Sequence, residues 1–279
     1  MLDMLAISAN LELGEDGIWY GKHEASVSYP SDGNELCFAV EDQSFWFRHR
    51  NNCILSMARL YPPANRGAIF DIGGGNGCVS AALAAAGFEV ALVEPGRAGA
   101  ANAKRRGLET VICATTDSAQ LTPNSLPAVG LFDVVEHIED DLAFLRSIRA
   151  LMMEQGRLYI TVPAYSFLWS QDDVAAGHYR RYTREGIRRV LERAGFEVEF
   201  SSYIFRFLPL PIALLRAFPY RLGWSSKEKA AEASAREHAT RGGAVARLLD
   251  RVLESEISRL ARGKTMRFGG SCLLVAKPA

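Results

Sequence analysis

Short apolar runs alternate with longer stretches of helical periodicity through most of the chain. Each run is too short for a helix and is bounded by turn residues, which is typical of a buried strand. The predicted strands are Ala68–Asp71, Val90–Glu94, Val111–Ala114, Ala128–Phe132, Arg157–Val162, Phe196–Tyr203 and Cys272–Ala276. The predicted helices are Glu41–Leu60, Val79–Ala86, Asp140–Met152 and Thr183–Ala194. Strands that alternate with helices indicate an α/β fold, with a largely parallel sheet covered by helices on both faces.

The pattern divides the 279 residues into three parts. Residues 1–64 form an N-terminal extension that is irregular up to residue 40 and helical after it. Residues 65–204 and 269–279 form the α/β core. Residues 205–268 form an insertion before the last strand, with an apolar, proline-broken beginning and a charged, helical second part over Lys227–Arg262. We expect this insertion to lie outside the core, because a long surface loop adds little to the entropy cost of loop closure.

Composition and charge exclude several classes of protein. Lys+Arg and Asp+Glu both number 32, so the net charge is zero and no global basic field favours nucleic acid. The five cysteines are scattered without metal-site spacing, which indicates reduced thiols and a cytoplasmic protein. The N-terminus has no basic segment typical of a signal peptide. The apolar run between Arg206 and Arg216 is much shorter than the roughly 20 residues that a membrane span needs.

A glycine-rich turn directly follows the first core strand. Gly73, Gly75 and Gly77 give the spacing G-x-G-x-G after an acid at Asp71. The dinucleotide fingerprint G-x-G-x-x-G does not fit, since Cys78 stands where its last glycine would be. Glycines at this point let the backbone approach a ligand and leave the amide groups of the next helix free to face it.

Two further acids follow the next strands. Glu94 ends the second strand about 20 residues past the turn, where a carboxylate can accept hydrogen bonds from both hydroxyls of a ribose. Asp117 follows the third strand, where it could meet an adenine amino group. The alternative is that the glycines only form a tight turn and that Glu94 is a surface residue.

Three segments resemble successive motifs of class I S-adenosylmethionine-dependent methyltransferases: Phe70–Gly77, Glu94 and Phe132–Ile138. The stretch Val162–Thr183 resembles the VPA…GH-RRYT region of bacterial small-molecule and glycan-associated members. The family fold implies a Rossmann-like, seven-stranded sheet with an antiparallel final strand. It also implies that S-adenosylmethionine, which becomes S-adenosylhomocysteine, binds at the carboxyl edge of the first strands. The predicted cofactor-binding residues are Asp71, Gly73, Gly75, Gly77, Glu94, Asp117 and Asp133.

The chain departs from the family pattern at two positions of the glycine turn. Gly74 and Asn76 stand where the family more often has Cys and Thr. Because the turn binds through its backbone, we expect neither side chain to be essential.

Asp133, Glu136 and His137 form the first group of candidate catalytic residues. An enzyme that transfers a methyl group from a sulfonium must align the acceptor, exclude water and sometimes remove a proton. By resemblance, this region lines the methionine end of the cofactor and touches the acceptor. A similar acid–acid–His group holds a divalent cation in related quinone O-methyltransferases, although we assign no metal ligand here. Alternatively, Glu136 and His137 only cap and orient the following helix.

The loop after the fifth strand carries the second group of candidates. His178 is predicted to act as a general base near neutral pH. Arg180 and Arg181 could hold a phosphate or carboxylate of an anionic acceptor. Alternatively, Asp172 or Asp173 pairs with an arginine and only rigidifies the loop. His178, Asp133 and His137 are therefore the predicted catalytic residues.

Two regions outside the core bear on the acceptor. Phe45 and Trp46 are either core anchors or part of a lid over the cofactor cleft. From Phe205 to Phe268 there are 13 Lys/Arg and 6 Asp/Glu. This excess of basic residues lies beside the apolar run and could contact an anionic membrane or a lipid-linked acceptor. We therefore expect the insertion to shape the side of the protein on which the acceptor binds. The alternative is a solvated helical hairpin used for homodimer formation.

The sequence predicts an S-adenosylmethionine-dependent methyltransferase that acts on oxygen of a small-molecule or sugar-containing acceptor. The acceptor could be anionic or lipid-linked, and no nucleic acid is expected as a partner. The competing hypotheses are a nicotinamide-dependent oxidoreductase and a cofactor-binding subunit without catalytic activity.

Overall fold

One mixed sheet forms the centre of the protein, of which the computed structural model describes residues 2–22, 38, 41–42, 44–224 and 244–279. Within these residues the sheet has nine strands: β1 Leu11–Leu13, β2 Trp19–Gly21, β3 Ile69–Ile72, β4 Val90–Val93, β5 Thr110–Cys113, β6 Leu126–Phe132, β7 Met152–Pro163, β8 Phe196–Ile204 and β9 Ser271–Pro278. Their order across the sheet is β1-β2-β5-β4-β3-β6-β7-β9-β8. The α-helices are α1 Met4–Ile7, α2 Phe45–Leu60, α3 Cys78–Ala85, α4 Arg97–Arg105, α5 Thr116–Ala119, α6 Asp141–Leu151, α7 Gln171–Ala176, α8 Arg184–Arg193, α9 Pro209–Ile212, α10 Phe218–Arg221 and α11 Ala244–Leu260.

The central strands β5, β4, β3, β6 and β7 are parallel, and β9 runs antiparallel to both β7 and β8. Successive side chains of one strand enter different apolar clusters, since Ile69 and Phe70 pack in separate cores. Both faces of the sheet are therefore covered, as the near-continuous apolar strands require. The structure confirms the Rossmann-like α/β fold and its antiparallel final strand.

The prediction of seven strands is corrected by a hairpin in the N-terminal extension. β1 and β2 pair with each other, and β2 adds to the core sheet through the pairs Trp19–Ile112 and Tyr20–Cys113. Strands of three residues are too short to show an alternating apolar pattern, so this segment looked irregular in the sequence.

The second half of the insertion packs on the core, contrary to the expectation that the insertion lies outside it. Leu253 and Leu260 of α11 are buried in the same apolar cluster as residues of α2. Glu256 is fully buried, 3.0 Å from Nε2 of His49, and accepts hydrogen bonds from the amides of Phe205 and Arg206. The part of the predicted helix before residue 244 lies outside the described residues.

The first half of the insertion is a run of helical segments over residues 209–221. α9 and α10 flank a π-helical turn at Ala213–Ala217. In the part of the chain that the structure describes, no helix has both the length and the apolar character needed to cross a membrane.

Candidate functional site

Two adjoining cavities open where the parallel strands end, the usual place for ligands in an open α/β sheet. The inner cavity has a volume of about 700 Å³ and lies over the glycine turn. The outer cavity has a volume of about 420 Å³ and lies between α2, α7 and the apolar helical run. Four residues line both cavities and so form the boundary between them: Phe47, Arg50, Asp133 and Ala176.

Gly73 and Gly75 shape the floor of the inner cavity. Both have positive φ, of 72° and 54° respectively. A Cβ at Gly75 would meet no atom within 4 Å, so the backbone here borders open space. The amide of Gly75 donates to Glu94 Oε2 at 2.9 Å, and the amide of Gly96 donates to Glu94 Oε1 at 2.7 Å. Burial raises the pKa of Glu94, whose carboxyl group joins two adjacent turns beside the cavity.

Gly77 has a packing role and does not line the inner cavity. A Cβ there would approach Leu108 to 2.9 Å and Ala103 to 3.0 Å. The neighbouring Asn76 is buried, donates to Glu41 and accepts from Asn102. The expectation that its side chain is unimportant therefore needs correction, because it fastens the turn to two other parts of the chain.

Two further predicted cofactor ligands, Asp71 and Asp117, differ in position. Asp71 lines the inner cavity and is almost fully buried; its Oδ2 accepts from the hydroxyl of Ser80, and burial raises its pKa to about 6. Asp117 lies in the first turn of α5, is exposed and does not line the cavity. The structure therefore groups Asp71 with Glu94 and leaves Asp117 outside the site.

Asp133 forms the central part of the boundary between the cavities. It directly follows β6 and has a φ of 58°, an uncommon value for a residue with a side chain. Its Oδ2 accepts from Nη1 of Arg50 at 2.5 Å, and its Oδ1 accepts from Thr161 at 3.2 Å. The Arg50 guanidinium also stacks on Trp46 and Phe47, at 4.8 and 5.1 Å from the ring centroids. These contacts fix α2 against the sheet edge.

Phe45 and Trp46 line the outer cavity and are only partly buried. Trp46 stacks on Phe205 with ring centroids 5.4 Å apart. The two aromatic residues therefore form a wall of the site as well as packing against the core.

His178 lines the outer cavity and is oriented by Asp173. Nδ1 of His178 lies 2.8 Å from Asp173 Oδ1, which also accepts from Nε of Arg181 at 2.7 Å. Burial alone would raise the pKa of Asp173, but the hydrogen bonds from His178 and Arg181 lower it to about 2. The ionised carboxylate can only accept a hydrogen bond, so Nδ1 carries a proton, and in the neutral imidazole the lone pair is then on Nε2. This is the arrangement of a base held in one tautomer.

His137 lies beside His178 on the inner-cavity side. The two rings meet edge to face with centroids 4.7 Å apart. Burial, and next to it the electrostatic interaction with the His178 ring, lower the pKa of His137 to about 4, so the His137 imidazole is neutral at physiological pH.

Glu136 is buried against the outer cavity, and its Oε2 has no hydrogen-bond partner among the described residues. Burial and the nearby charge of Asp133 raise its pKa well above the usual range. Glu136, His137 and His178 present potential ligand atoms within 4.8 Å of one another. Of the alternatives for this group, helix capping does not hold, because the side chain of Asp140 caps α6.

The arginines of the loop are paired within the chain. Arg180 pairs with Asp141 at 3.0 Å, and Arg181 pairs with Asp173. Asp172, at the start of α7, pairs with Arg216 from the insertion at 2.6 Å. These ion pairs match the alternative in which acids and arginines rigidify the loop; of the two arginines, Arg181 lines the outer cavity and Arg180 does not.

Sequence reasoning did not predict the contacts of Arg50 and Arg216 with the site. Both residues come from segments outside the core, and no local pattern links them to the acids that they bind. The apolar run of the insertion was the one available signal, and its residues Leu208 and Ile212 do line the outer cavity.

The sequence model of a family described as "Methyltransferase domain" matches residues 46–200, more than half of the chain. No curated protein matches the chain.

Several solved structures share the fold. One is a chain of the complex between the Haloferax volcanii Trm112 methyltransferase activator and a methyltransferase; it is 16% identical over 89% of this chain and 96% of that chain, with a TM-score of 0.56. A second is an S-adenosylmethionine-dependent methyltransferase from Thermotoga maritima, 14% identical over 88% of this chain and 94% of that chain, with a TM-score of 0.54. A third is Haemonchus contortus phosphoethanolamine N-methyltransferase 2 in complex with S-adenosylmethionine, 18% identical over 94% of this chain and 62% of that chain, with a TM-score of 0.54. At these identities the likeness is one of fold.

Proposed function

The chain belongs to the methyltransferase domain family and is a class I enzyme that uses S-adenosylmethionine, and from this premise we propose that it methylates oxygen of a small-molecule or sugar-containing acceptor. The acceptor binds in the outer cavity. Family membership also favours a methyltransferase over the two competing hypotheses, the nicotinamide-dependent oxidoreductase and the subunit without catalytic activity.

The inner cavity fits S-adenosylmethionine. Gly73, Gly74 and Gly75 line its floor, and a Cβ at Gly74 would approach Asp71 and Leu92 to 2.8 Å, so the turn accepts no larger residue there without a shift. Glu94 adds a carboxylate with lone pairs beyond those used by its two amide partners. When bound, S-adenosylmethionine supplies an electrophilic methyl group on a sulfonium. Gly73–Gly75 and Glu94 would hold it, and Asp71 shapes the cavity beneath the turn.

The outer cavity has the properties of an acceptor site. Its volume of about 420 Å³ lies in the range usual for small-molecule sites. Its walls combine aromatic and aliphatic side chains with four acids, three arginines and His178. Such a mixed lining suits an acceptor that has an apolar part and a hydroxyl group to be aligned.

The observation that carries the choice of oxygen is the contact between His178 and Asp173. A hydroxyl acceptor loses its proton when its oxygen gains the methyl group, and a base at the site must take that proton. Nε2 of His178 takes it, and Asp173 stabilises the imidazolium that results. Asp133 is held by Arg50 and lies at the boundary between the donor cavity and the acceptor cavity. The neutral imidazole of His137 packs beside the base.

We place the enzyme in the cytoplasm. The cysteines among the described residues, Cys53, Cys78, Cys113 and Cys272, are free thiols. Buried free thiols are usual in proteins of a reducing compartment.

A labelled methyl donor with a panel of glycan, phenol and quinol acceptors tests the proposal. His178→Asn and Asp173→Asn should each lower turnover by about 10²–10⁴-fold while the Kd for S-adenosylhomocysteine stays unchanged. Arg180→Gln is the matched control, since this residue lies in the same loop but lines neither cavity. Full turnover in His178→Asn would exclude the base. Loss of turnover after chelation, restored by a divalent cation, would instead favour a metal held by Glu136, His137 and His178.

A further inference from the structure

One surface of the described chain is apolar although it faces outward. It is the outer side of the helical run at residues 209–221, continued by Trp224. The exposed fractions are 67% for Leu210, 60% for Leu214, 66% for Leu215, 56% for Phe218 and 69% for Trp224. Soluble monomers rarely leave so many large apolar side chains together in water, and such a patch marks an interaction surface. We call this surface the apolar face.

The opposite side of the same run packs on the protein and forms a wall of the outer cavity. Pro209 and Ala217 are buried, and Arg216 pairs with Asp172 beside the cavity. A helix on the surface of a soluble protein normally turns its apolar side inward and its polar side outward. Here the arginine lies on the inner side and the leucines on the outer side, so packing among the described residues does not explain the apolar face.

Two exposed arginines lie beside the apolar face. Residues 205–224 include three arginines and no acidic residue. Arg206 and Arg216 pair with Glu256 and Asp172, whereas Arg221 is exposed and donates to the carbonyl oxygen of Phe167 at 3.0 Å. Tyr165 stacks on Phe167 at 5.1 Å and lies 5.3 Å from Phe268, and Arg267, the neighbour of Phe268 in the sequence, is exposed. Phe167 and Phe268 are themselves 46% exposed and extend the apolar area between these cations.

We propose that the apolar face docks on an anionic lipid bilayer. Leucine and aromatic side chains enter the boundary of the acyl chains, and the exposed arginines meet lipid phosphates, as in amphipathic helices that lie in the membrane interface. The run is far shorter than the roughly 20 residues that a span requires, so it lies in the plane of the surface.

Charge complementarity separates the bilayer from the other candidate occupants. A second copy of the chain would bring the same arginine-bearing surface against itself and so bring like charges together, whereas anionic lipid attracts Arg221 and Arg267. Residues 225–243 hold no Leu, Ile, Val, Met, Phe, Tyr or Trp, so this segment has no large apolar side chain with which to cover the face.

Docking in this way places the outer cavity next to the membrane, because one helical run forms both surfaces. An acceptor carried on a lipid would then reach the cavity without leaving the bilayer. This consequence rests on the proposed function, whereas binding to vesicles does not.

Co-sedimentation of the full chain with vesicles tests the proposal. We expect binding to vesicles made of equal parts of phosphatidylcholine and phosphatidylglycerol, and much weaker binding to phosphatidylcholine alone. The triple variant Leu210→Ser, Leu214→Ser and Phe218→Ser should lose at least about tenfold in affinity. Arg221→Gln and Arg267→Gln should each lower the affinity for these vesicles by up to about fivefold. Added salt should weaken the binding of the wild-type protein to the vesicles.

The N-terminal hairpin at the opposite end of the sheet supplies the controls. Leu13 is 58% exposed and Lys22 is exposed, so Leu13→Ser and Lys22→Gln remove an exposed apolar side chain and a cation at that end of the sheet. Both variants should bind vesicles like the wild type. Equal binding by the triple variant, or no binding by the wild type, would overturn the proposal. A wild-type dimer in light scattering that the triple variant converts to monomer would assign the face to a second copy instead.

Discussion

Nη1 of Arg50 lies 2.5 Å from Oδ2 of Asp133, across 83 residues of sequence. The arginine comes from α2 and the acid from the end of β6, and both line the inner and the outer cavity. The side chains are 9% and 21% exposed, so the pair is shielded from most solvent screening. One ion pair therefore fixes the N-terminal helix to the sheet and lies at the boundary between the two cavities.

Breaking this pair should cost stability because it leaves a buried charge without its partner. We expect Arg50→Met and Asp133→Asn each to lower the free energy of unfolding by about 3 kcal/mol, measured by urea denaturation. The double variant should lose clearly less than the sum of the two, since the second change removes the unpaired charge. Additive losses would show that the two side chains do not interact in solution.

Glu94 and Asp117 give a matched comparison of two predicted cofactor ligands. Glu94→Gln should weaken binding of S-adenosylhomocysteine roughly 10- to 150-fold in calorimetry, the scale of lost charged hydrogen bonds. Asp117→Asn should leave the Kd unchanged, because this residue is exposed and does not line the inner cavity. Weaker binding in the Asp117 variant, with normal binding in the Glu94 variant, would show that the ligand lies elsewhere.

His137 should make stability depend on pH. Its pKa falls from 6.5 to about 4 on folding, so the unfolded chain binds the proton more readily than the folded one. The contribution to stability is therefore present above about pH 6.5 and is lost as the pH falls towards 4. His137→Gln should lose less free energy of unfolding than the wild type between about pH 7 and about pH 5. An identical pH dependence in the two proteins would contradict the lowered pKa.

Glu256 tests the attachment of α11 to the core. Glu256→Ala removes the carboxylate that accepts from the amides of Phe205 and Arg206, and it should lower the free energy of unfolding by roughly 2–4 kcal/mol. Glu254→Ala on the same helix is the control, because Glu254 is exposed and should change stability little. Equal effects of the two variants on the free energy of unfolding would mean that α11 is not held by this contact.

Because α11 packs on the core, we expect a chain without residues 205–268 not to fold.

Sequence reasoning located those parts of the site whose determinants are local. Gly75 and Glu94 are separated by one helix and one strand, and adjacent parallel strands necessarily bring them to the same sheet edge. The loop with Asp173 and His178 was likewise expected at that edge, and the two residues are only five positions apart.

Determinants that lie far apart in the sequence could not be predicted. His49 and Glu256 are separated by 207 residues, and neither carries a pattern that points to the other. Asp117 was misplaced for a related reason. Its position after a strand was correct, but the direction of its side chain depends on the short helix α5, whose four residues give no periodic signal.

The most direct test of the whole account is a crystal structure of the protein with S-adenosylhomocysteine. We expect the adenosine part in the inner cavity, with its ribose hydroxyls on Glu94 and its backbone contacts at Gly73–Gly75. The sulfur should lie at the boundary with the outer cavity, beside Asp133. A ligand bound in the outer cavity among Phe45, Trp46 and His178, or one whose ribose makes no contact with Glu94, would contradict the division of the site into a donor cavity and an acceptor cavity.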